Sequence, residues 1–341
     1  PKWLAKQGID PQEGEQQAQQ LQGQLTEIKA RSRSLGEEEA DILREFEQLM
    51  LTVPQPADPG VPYGKDETEG VEIRRWGEHP TSDVELKDHV QIGKELDIID
   101  IERGVKLAGT RNYVIKGDGA RLYQAVLRLA MDMLNERGYT PMQVPVLVNE
   151  SAMYGTGYFP TGRDQAYLCE RDRKSLVGTA EVPLTALHSE EILSETDLPR
   201  RYYAVSTCFR REAGAGGKDT YGLYRVHLFD KVEQVIVCHN DVEESKRFHG
   251  EIQGNAEDLM QRLELPYRVI DVCTGDLGMG QVQKFDIEAW MPSRGSYSET
   301  HSASRFYDFQ ARRLNMRYRT GDKKRHFCHT LNNTMIALPR V

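Results

Sequence analysis

Long apolar segments are missing from this chain of 341 residues. No stretch approaches the roughly 18 to 20 consecutive apolar residues that a helix needs to cross a bilayer. The N-terminal segment PKWLAKQGID also lacks the apolar core of a signal peptide. We therefore expect a soluble protein with no membrane partner and a cytoplasmic location.

Cysteine is scarce as well, and the five cysteines lie far apart in the sequence. An odd number without a CxxC pair argues against a disulfide framework and against a zinc site built from thiolates. We interpret them as ordinary reduced thiols. They are Cys169, Cys208, Cys238, Cys273 and Cys328.

Positive charge is in deficit, with a formal net charge of −9. The molecule as a whole should therefore repel polyanions, and a nucleic-acid partner would have to meet a local basic patch. Two segments qualify, KARSR at residues 29–33 and RYRTGDKKRHF at residues 317–327. Each is equally compatible with charge on a solvated surface.

The N-terminal region has the composition of a helix. From Glu15 to about Met50 it is rich in Gln, Glu and Leu and contains no proline. Its apolar residues recur at heptad-like spacing, and they are Leu21, Leu25, Ile28, Leu35, Ile42, Phe46 and Leu49. Gly36 favours a break between two helices, so residues 1–51 are predicted to form an antiparallel helical coiled-coil arm. A single surface helix is the alternative.

A proline-rich segment separates this region from the rest of the chain. TVPQPADPGVPYGKDE holds four prolines and two glycines, which excludes a helix or a central strand. We predict a linker over residues 52–68 and a larger second domain over residues 69–341.

Strand-like runs dominate the larger part of the chain. Many consecutive strands with few crossover helices favour an α+β fold with a mostly antiparallel sheet flanked by helices. Pro145, in the strand-like run YTPMQVPVLV, belongs at a sheet edge or bulge because proline cannot donate to a strand ladder. One strong helix, DVEESKRFHGEIQGNAEDLMQRLEL, has Asp241 in place as its N-cap.

The segment FRREAGAGGKDTYGLYRVHLF at residues 209–229 combines charge with glycine. CFRRE and LYRVHLFDKVE are interpreted as two antiparallel strands, joined by a glycine-rich loop to which Lys218 adds cationic charge. The glycines do not form GxxxxGK[ST] and do not lead from a strand into a helix, which disfavours a P-loop.

Alternation along the second strand groups its functional side chains on one face. That face contains Arg225, His227, Phe229, Lys231 and Glu233. If Arg210 lies on the same face, guanidinium groups, carboxylates and an aromatic ring together line one surface of the sheet. Guanidinium groups bind phosphate or carboxylate, and a phenyl ring stacks on a flat heterocycle, which suits an amino acid beside a nucleotide. For any one of these residues, a solvated charged face remains the alternative.

Several segments resemble class II aminoacyl-tRNA synthetases, and their sequences are similar to those of the seryl-tRNA synthetase family. They follow one another in unbroken order from about Val53 to Arg340. FRREAG and GLYRVHLFDKVE resemble motif 2, GYTPMQVPVLV resembles motif 1 and TLNNTMIALPR resembles motif 3. GTAEVPL is similar to the seryl Thr-x-Glu loop. The resemblance implies a homodimer with Pro145 at the interface and a helical arm that binds tRNA.

The resemblance also implies an activity. It is the ATP-dependent and Mg²⁺-dependent activation of L-serine to seryl-adenylate, followed by transfer to tRNA(Ser), with tRNA(Sec) left open as a further acceptor. Two alternatives remain open. One is a ligase that passes the seryl group to a carrier protein, and the other is a synthetase-like binding protein without catalysis.

Residue by residue, the resemblance implies three sets of contacts. Arg210 and Arg340 are the implied catalytic residues, and Glu299 and Ser302 are the implied magnesium ligands. The implied ATP contacts are Arg210, Arg211, Glu212, Arg225, Val226, Phe229, Glu299, Ser302 and Arg340. The implied serine contacts are Thr179, Ala180, Glu181, Arg210, Glu233, Asn332 and Thr334.

The sequence departs from the family pattern at a few positions. The arm is shorter than two helices of a seryl-type coiled coil require, so we expect it to be either stunted or incomplete in the given sequence. The resemblance also implies that residues 69–341 are the class II catalytic domain and that this domain continues beyond Val341. Arg211 and Leu228 in motif 2, and Thr300 and His301 after Glu299, replace the residues that are common there.

Overall fold

The computed structural model describes residue 8 and residues 10–79, 82–215, 217 and 219–341. Within these residues the chain divides into two compact units, residues 1–53 and 54–341. The predicted contribution of Lys218 lies outside the described residues. The α-helices of the described part are α1 (Pro11–Met50), α2 (His89–Glu95), α3 (Ile101–Ala108), α4 (Gly117–Glu136), α5 (Glu150–Gly155), α6 (Glu181–Thr185), α7 (Val242–Arg262) and α8 (Phe309–Leu314).

The described part of the first unit is mainly the helix α1. It begins after Asp10, whose side chain accepts a hydrogen bond from the Gln12 backbone N–H at 3.1 Å. The helix then runs through Gly36 without interruption, so the predicted break there is wrong, whereas the helix itself is confirmed. A mid-helix glycine costs only about 1 kcal/mol relative to alanine. The Arg33–Glu37 ion pair of 3.1 Å spans it on the helix surface.

The apolar residues at heptad-like spacing along α1 are all exposed. They are Leu21, Leu25, Ile28, Leu35, Ile42, Phe46 and Leu49, each with more than half of its surface accessible. A single long helix with such a seam is the geometry of one strand of a coiled coil.

In its described residues, the second unit is built on one large sheet and three small ones. The strands are β1 (Val71–Trp76), β2 (Ile99–Asp100), β3 (Val114–Ile115), β4 (Thr140–Met142), β5 (Leu147–Asn149), β6 (Leu168–Cys169), β7 (Lys174–Leu176), β8 (Ile192–Ser194), β9 (Arg200–Phe209), β10 (Leu228–Cys238), β11 (Tyr267–Asp271), β12 (Gln283–Met291), β13 (Ser296–Arg305), β14 (Arg317–Arg319), β15 (Arg325–Phe327) and β16 (His329–Ala337).

The large sheet has eight strands in the order β1-β11-β12-β13-β16-β10-β9-β4. All neighbours are antiparallel except β4 and β9, which pair in parallel at one edge. Helices α4 and α7 bury their apolar sides against this sheet, with Leu134 and Ile252 fully buried beside Ile236 and Met335. The predicted α+β fold with a mostly antiparallel sheet is therefore confirmed.

Two sequence signals for local structure hold. Asp241 caps α7, since its carboxylate accepts the Glu244 backbone N–H at 2.7 Å. Pro145 interrupts the run that was predicted as one strand, which is split into β4 and β5 in different sheets. Pro145 lies between them and is exposed, as expected for a residue without an N–H to donate.

The proline-rich segment before β1 has no strand, and its first regular element is a short 3₁₀ turn at Glu67–Glu69. It is nevertheless attached to the second unit. The Gln55 N–H donates to the Met279 carbonyl at 2.7 Å, and the Asp58 N–H donates to the Val282 carbonyl at 2.8 Å. The carboxylate of Asp58 also pairs with the fully buried Arg305 of β13.

Candidate active site

A cavity of about 260 Å³ opens on the face of the large sheet, over the ends of β10, β13 and β16. Most of the predicted site residues line it. They are Thr179, Glu181, Arg210, Phe229, Glu233, Glu299, Ser302, Asn332, Thr334 and Arg340. They come from distant parts of the sequence and meet because their strands are neighbours in the sheet.

The motif 2 hairpin reaches this cavity with a different geometry from the one predicted. Strand β9 ends at Phe209 and β10 begins at Leu228. Arg225 and His227 therefore precede the strand, and the predicted strand from Leu223 is wrong at its start. The irregular segment instead places Arg225 Nη1 at 3.1 Å from Glu212 Oε2.

Arg210 lies directly after β9 and faces the aromatic ring of β10. Its guanidinium carbon is 5.3 Å from the centre of the Phe229 ring, a cation–π distance. Its Nε donates to the Gly178 carbonyl at 3.3 Å. The guanidinium thus keeps donors for a ligand beside a nearly buried ring, which is the predicted combination of charge and stacking surface.

Five predicted residues do not line the cavity. Arg211 is exposed, and its Nη1 donates to the Asp164 carbonyl at 3.2 Å. Glu212 and Arg225 form the pair described above. Ala180 and Val226 are buried in apolar clusters, so only their backbone groups could meet a ligand.

The end of the cavity lined by Glu181, Glu233 and Lys231 is acidic and contains one buried ammonium group. Glu233 forms an ion pair with Lys231, and both side chains are almost completely buried. Burial raises the pKa of Glu181 to about 7, and Glu233 adds to this, while Lys231 and hydrogen bonds from Gln310 and Asn332 oppose it. An acidic group of this kind suits a substrate that brings its own ammonium.

The opposite end of the cavity carries Glu299, Ser302 and Arg340. Arg340 Nη1 is 3.4 Å from Glu299 Oε1. Burial raises the pKa of the neighbouring Asp286 to about 7, Glu299 raises it further, and Lys284 and a hydrogen bond with Ser302 lower it. No cluster of three or more His, Cys, Asp or Glu residues is arranged for a metal in the described part of the chain.

One carboxylate with one hydroxyl nevertheless fits magnesium, which commonly takes few protein ligands and completes its shell with water and substrate phosphates. Glu299 and Ser302 face the same cavity and have the hard oxygen donors that this ion prefers.

Sequence reasoning assigned no role to several residues that line the cavity. They are Tyr158, Lys231, Gln281, Lys284, Ser304 and Ala337. Only Lys231 had a signal, because strand alternation placed it on the face of Phe229 and Glu233. Thr300 also lines the cavity, although it was counted among the departures from the family pattern.

Comparison with known proteins identifies the family. Residues 167–341 match the family model described as the tRNA synthetase class II core domain (G, H, P, S and T). A serine–tRNA ligase of Deinococcus radiodurans is 47% identical over 92% of this chain and 73% of its own length. The chain belongs to the seryl-tRNA synthetase family. The predicted family and the class of ATP-dependent ligase are therefore confirmed.

Solved structures of seryl-tRNA synthetases superimpose on the chain. The Pyrococcus horikoshii enzyme, complexed with ATP, has a TM-score of 0.88 at 40% identity and covers 93% of this chain and 75% of its own. The cytoplasmic enzyme of Naegleria fowleri, in complex with AMP, has a TM-score of 0.83 at 32% identity, with 89% and 73% covered. No helix in the described ranges is long and apolar enough to cross a membrane.

Proposed function

We propose that the cavity binds ATP and L-serine side by side and joins them as seryl-adenylate, the first step in charging tRNA(Ser). The observation that carries the proposal is the guanidinium of Arg210 over the Phe229 ring, next to an acidic pocket in the same cavity. The similarity to serine–tRNA ligases, and the ATP and AMP complexes of two similar seryl-tRNA synthetase structures, support it.

At the nucleotide end, Phe229 stacks on adenine and Glu212 accepts from its exocyclic amine. Arg210 contacts the α-phosphate and the serine carboxylate, and Arg225 and Arg340 hold the outer phosphates. A bidentate guanidinium suits each of these anions. The contacts proposed for Glu212 and Arg225, like those of Arg211 and Val226 to ATP and of Ala180 to serine, rest on the sequence resemblance, because these five residues do not line the cavity.

At the serine end, the ammonium lies against the acidic side chains and the hydroxyl meets buried polar partners. The residues proposed here are Thr179, Glu181, Glu233, Asn332 and Thr334. An amino acid without the hydroxyl leaves such partners unpaired, which is how a polar pocket rejects an apolar analogue.

The chemistry requires no protein nucleophile. A serine carboxylate oxygen attacks the α-phosphorus, and the bond from that phosphorus to pyrophosphate breaks with the electron pair leaving on pyrophosphate. In the second step a hydroxyl of the terminal tRNA ribose attacks the seryl carbonyl carbon, the bond from that carbon to the phosphate oxygen breaks, and AMP leaves with the electron pair and takes up the hydroxyl proton on its phosphate. Positioning and neutralisation of phosphate charge can supply most of the acceleration.

Glu299 and Ser302 are the proposed ligands of Mg²⁺, which neutralises phosphate charge when it is bound. Asp286 lies opposite Ser302 in the pairing of β12 with β13, where it would support the hydroxyl that Ser302 offers as a ligand.

We further propose a cytoplasmic homodimer in which the segment around Pro145 lies at the interface. Pro145 is exposed, and β4 next to it forms an edge of the large sheet. Sedimentation of the protein at micromolar concentration is expected to give twice the mass of the chain.

Serine-dependent exchange of labelled pyrophosphate into ATP tests the proposed activation. We expect exchange with L-serine and none with glycine or L-alanine at the same concentration. A preparation that is folded but shows no exchange contradicts the proposal. Charging of tRNA(Ser) against an acyl-carrier protein, as two acceptors in parallel assays, then separates the tRNA ligase from the carrier-protein ligase.

Replacing Phe229 by alanine is expected to raise the KM for ATP by roughly tenfold, because stacking of a base on an aromatic ring is worth about 1–3 kcal/mol. The KM for serine should change much less. Pyrophosphate exchange at varied ATP and varied serine measures both values. An unchanged KM for ATP means that adenine binds elsewhere.

A further inference from the structure

Lys231 lies at the amino-acid end of the cavity with its charge almost completely buried. It is two residues from Phe229 and two from Glu233 along β10, so the three side chains share one face of the strand. Only 6% of its side chain is accessible. A buried ammonium is costly unless each of its three N–H groups finds an acceptor.

The ammonium has three acceptors within reach. Its Nζ is 2.8 Å from Thr179 Oγ1 and 3.4 Å from Thr334 Oγ1. The third is the carboxylate of Glu233, with which it forms an ion pair. Because an ammonium group can only donate, both threonine oxygens accept from Lys231.

This arrangement fixes the direction of the hydroxyl protons. Thr179 Oγ1 also accepts the backbone N–H of Glu181 at 3.1 Å, so its two lone pairs are occupied and its O–H must donate elsewhere. The O–H of Thr334 is likewise free to donate, since Lys231 already occupies one of its lone pairs. Both residues line the cavity, and Lys231 thereby leaves their O–H groups as donors for a ligand.

The charges of the pocket complete the picture. Glu181 and Glu233 contribute two carboxylates, and Lys231 neutralises one of them through its ion pair. The groups that face Glu181 are Glu233 and Lys231 of β10, Gln310 of α8, Asn332 of β16 and Tyr158. One ammonium from a bound amino acid therefore balances the remaining negative charge.

We infer that Lys231 is a positioning residue for amino-acid recognition: it orients the hydroxyls of Thr179 and Thr334 and leaves the pocket one negative charge for the substrate ammonium. The inference rests on the proposed function, because it takes the ligand of this pocket to be L-serine. In this role Lys231 acts through its three partners, Thr179, Thr334 and Glu233.

Replacing Lys231 by methionine tests the inference, because methionine has a similar length but no charge and no donor. Loss of hydrogen bonds to a charged group costs about 1.5–3 kcal/mol, so we expect the KM for serine to rise by roughly tenfold to a hundredfold. The KM for ATP should stay within about twofold of the wild-type value. Pyrophosphate exchange gives both constants.

The pH profile distinguishes this role from simple loss of packing. Glu181 must be ionised to take the substrate ammonium, so kcat/KM for serine should fall as the pH drops through about 7 in the wild type. Lys231 lowers the pKa of Glu181. Replacing Lys231 by methionine should therefore move the acidic limb of this pH profile, the range over which kcat/KM for serine falls, to higher pH by about one unit or more.

A double variant sharpens the result. Lys231→Met combined with Glu233→Gln removes one positive and one negative charge, so the pocket regains its wild-type net charge. The limb should return towards its original pH, while the KM for serine stays high because the positioned partners are still missing. Lys324→Met is the matched control, since Lys324 also pairs with a carboxylate, at 2.8 Å from Asp322, but on the exposed surface.

Two outcomes are decisive. A Lys231→Met enzyme with a KM for serine within threefold of the wild type and an unmoved limb overturns the inference. A wild type without serine-dependent exchange overturns the proposed function instead. If thermal melting shows that Lys231→Met does not fold, Lys231→Gln takes its place, because the amide can still donate to the threonines while the charge is lost; the limb should move in that variant as well.

Discussion

Replacing Arg210 by alanine is expected to lower serine-dependent pyrophosphate exchange by at least about a thousandfold. The side chain lies between the Phe229 ring and the acidic pocket, where it can contact both the α-phosphate and the serine carboxylate. An arginine that stabilises charge on a transferring phosphoryl group is worth about 10³–10⁵ in rate. The rate should fall without a comparable loss of thermal stability, because the hydrogen bond of the Arg210 side chain to the Gly178 carbonyl is long, at 3.3 Å, and its backbone bonds to His227 are kept in the variant.

Arg171→Ala is a suitable control, since Arg171 is exposed on a short 3₁₀ turn away from the cavity lining. Its exchange rate should match that of the wild type. Near-normal exchange in the Arg210 variant, with melting curves unchanged, would show that the α-phosphate binds to a different residue.

Replacing Asp58 by alanine is expected to lower the free energy of unfolding by about 3–5 kcal/mol, the usual cost of leaving a buried charge without its partner. Arg305 has no accessible side-chain surface and pairs with Asp58. The Tyr307 hydroxyl donates to the same carboxylate at 2.7 Å. Urea unfolding followed by circular dichroism measures the change.

The same pair gives stability a dependence on pH. Burial raises the pKa of Asp58, but hydrogen bonds from Tyr307 and Arg305 outweigh it and hold the pKa below the ordinary value. A lowered pKa stabilises the fold at neutral pH, and this contribution is lost as the pH falls below about 4. In the Asp58 variant this acid-dependent component should be absent.

Asp322→Ala, at an exposed pair with Lys324, should leave the unfolding curve almost unchanged. A wild-type curve for Asp58→Ala would mean that Arg305 finds another partner.

The sequence predicted the architecture better than the loops. Alternation of side chains grouped Phe229 and Glu233 correctly, because both lie within the regular strand β10. Arg225 could not be positioned in the same way, since it precedes the strand in an irregular segment. The break predicted at Gly36 is absent because the neighbouring residues of α1 have a helix propensity high enough to tolerate one glycine.

The same difference between local and long-range signals decides which cavity residues the sequence could predict. The motifs located residues such as Arg210 and Asn332, because each motif is a short contiguous segment of the sequence. Gln281 and Ser304 have no local motif. Ser304 reaches the cavity because of where β13 lies in the sheet, and Gln281, two residues before β12, donates to the Ser304 hydroxyl at 2.6 Å. Their contribution depends on strand order, which no short segment encodes.

The Asp58–Arg305 pair also decides where the chain can be cut. A truncated protein that starts at residue 69, the predicted boundary, would lack Asp58 and its backbone hydrogen bond to Val282. The buried guanidinium of Arg305 would then have lost its carboxylate partner. One that starts at Pro54, where the second unit begins, keeps both interactions. For crystallisation or inhibitor screening on the catalytic unit alone, the proline-rich segment is therefore part of the minimal folding module.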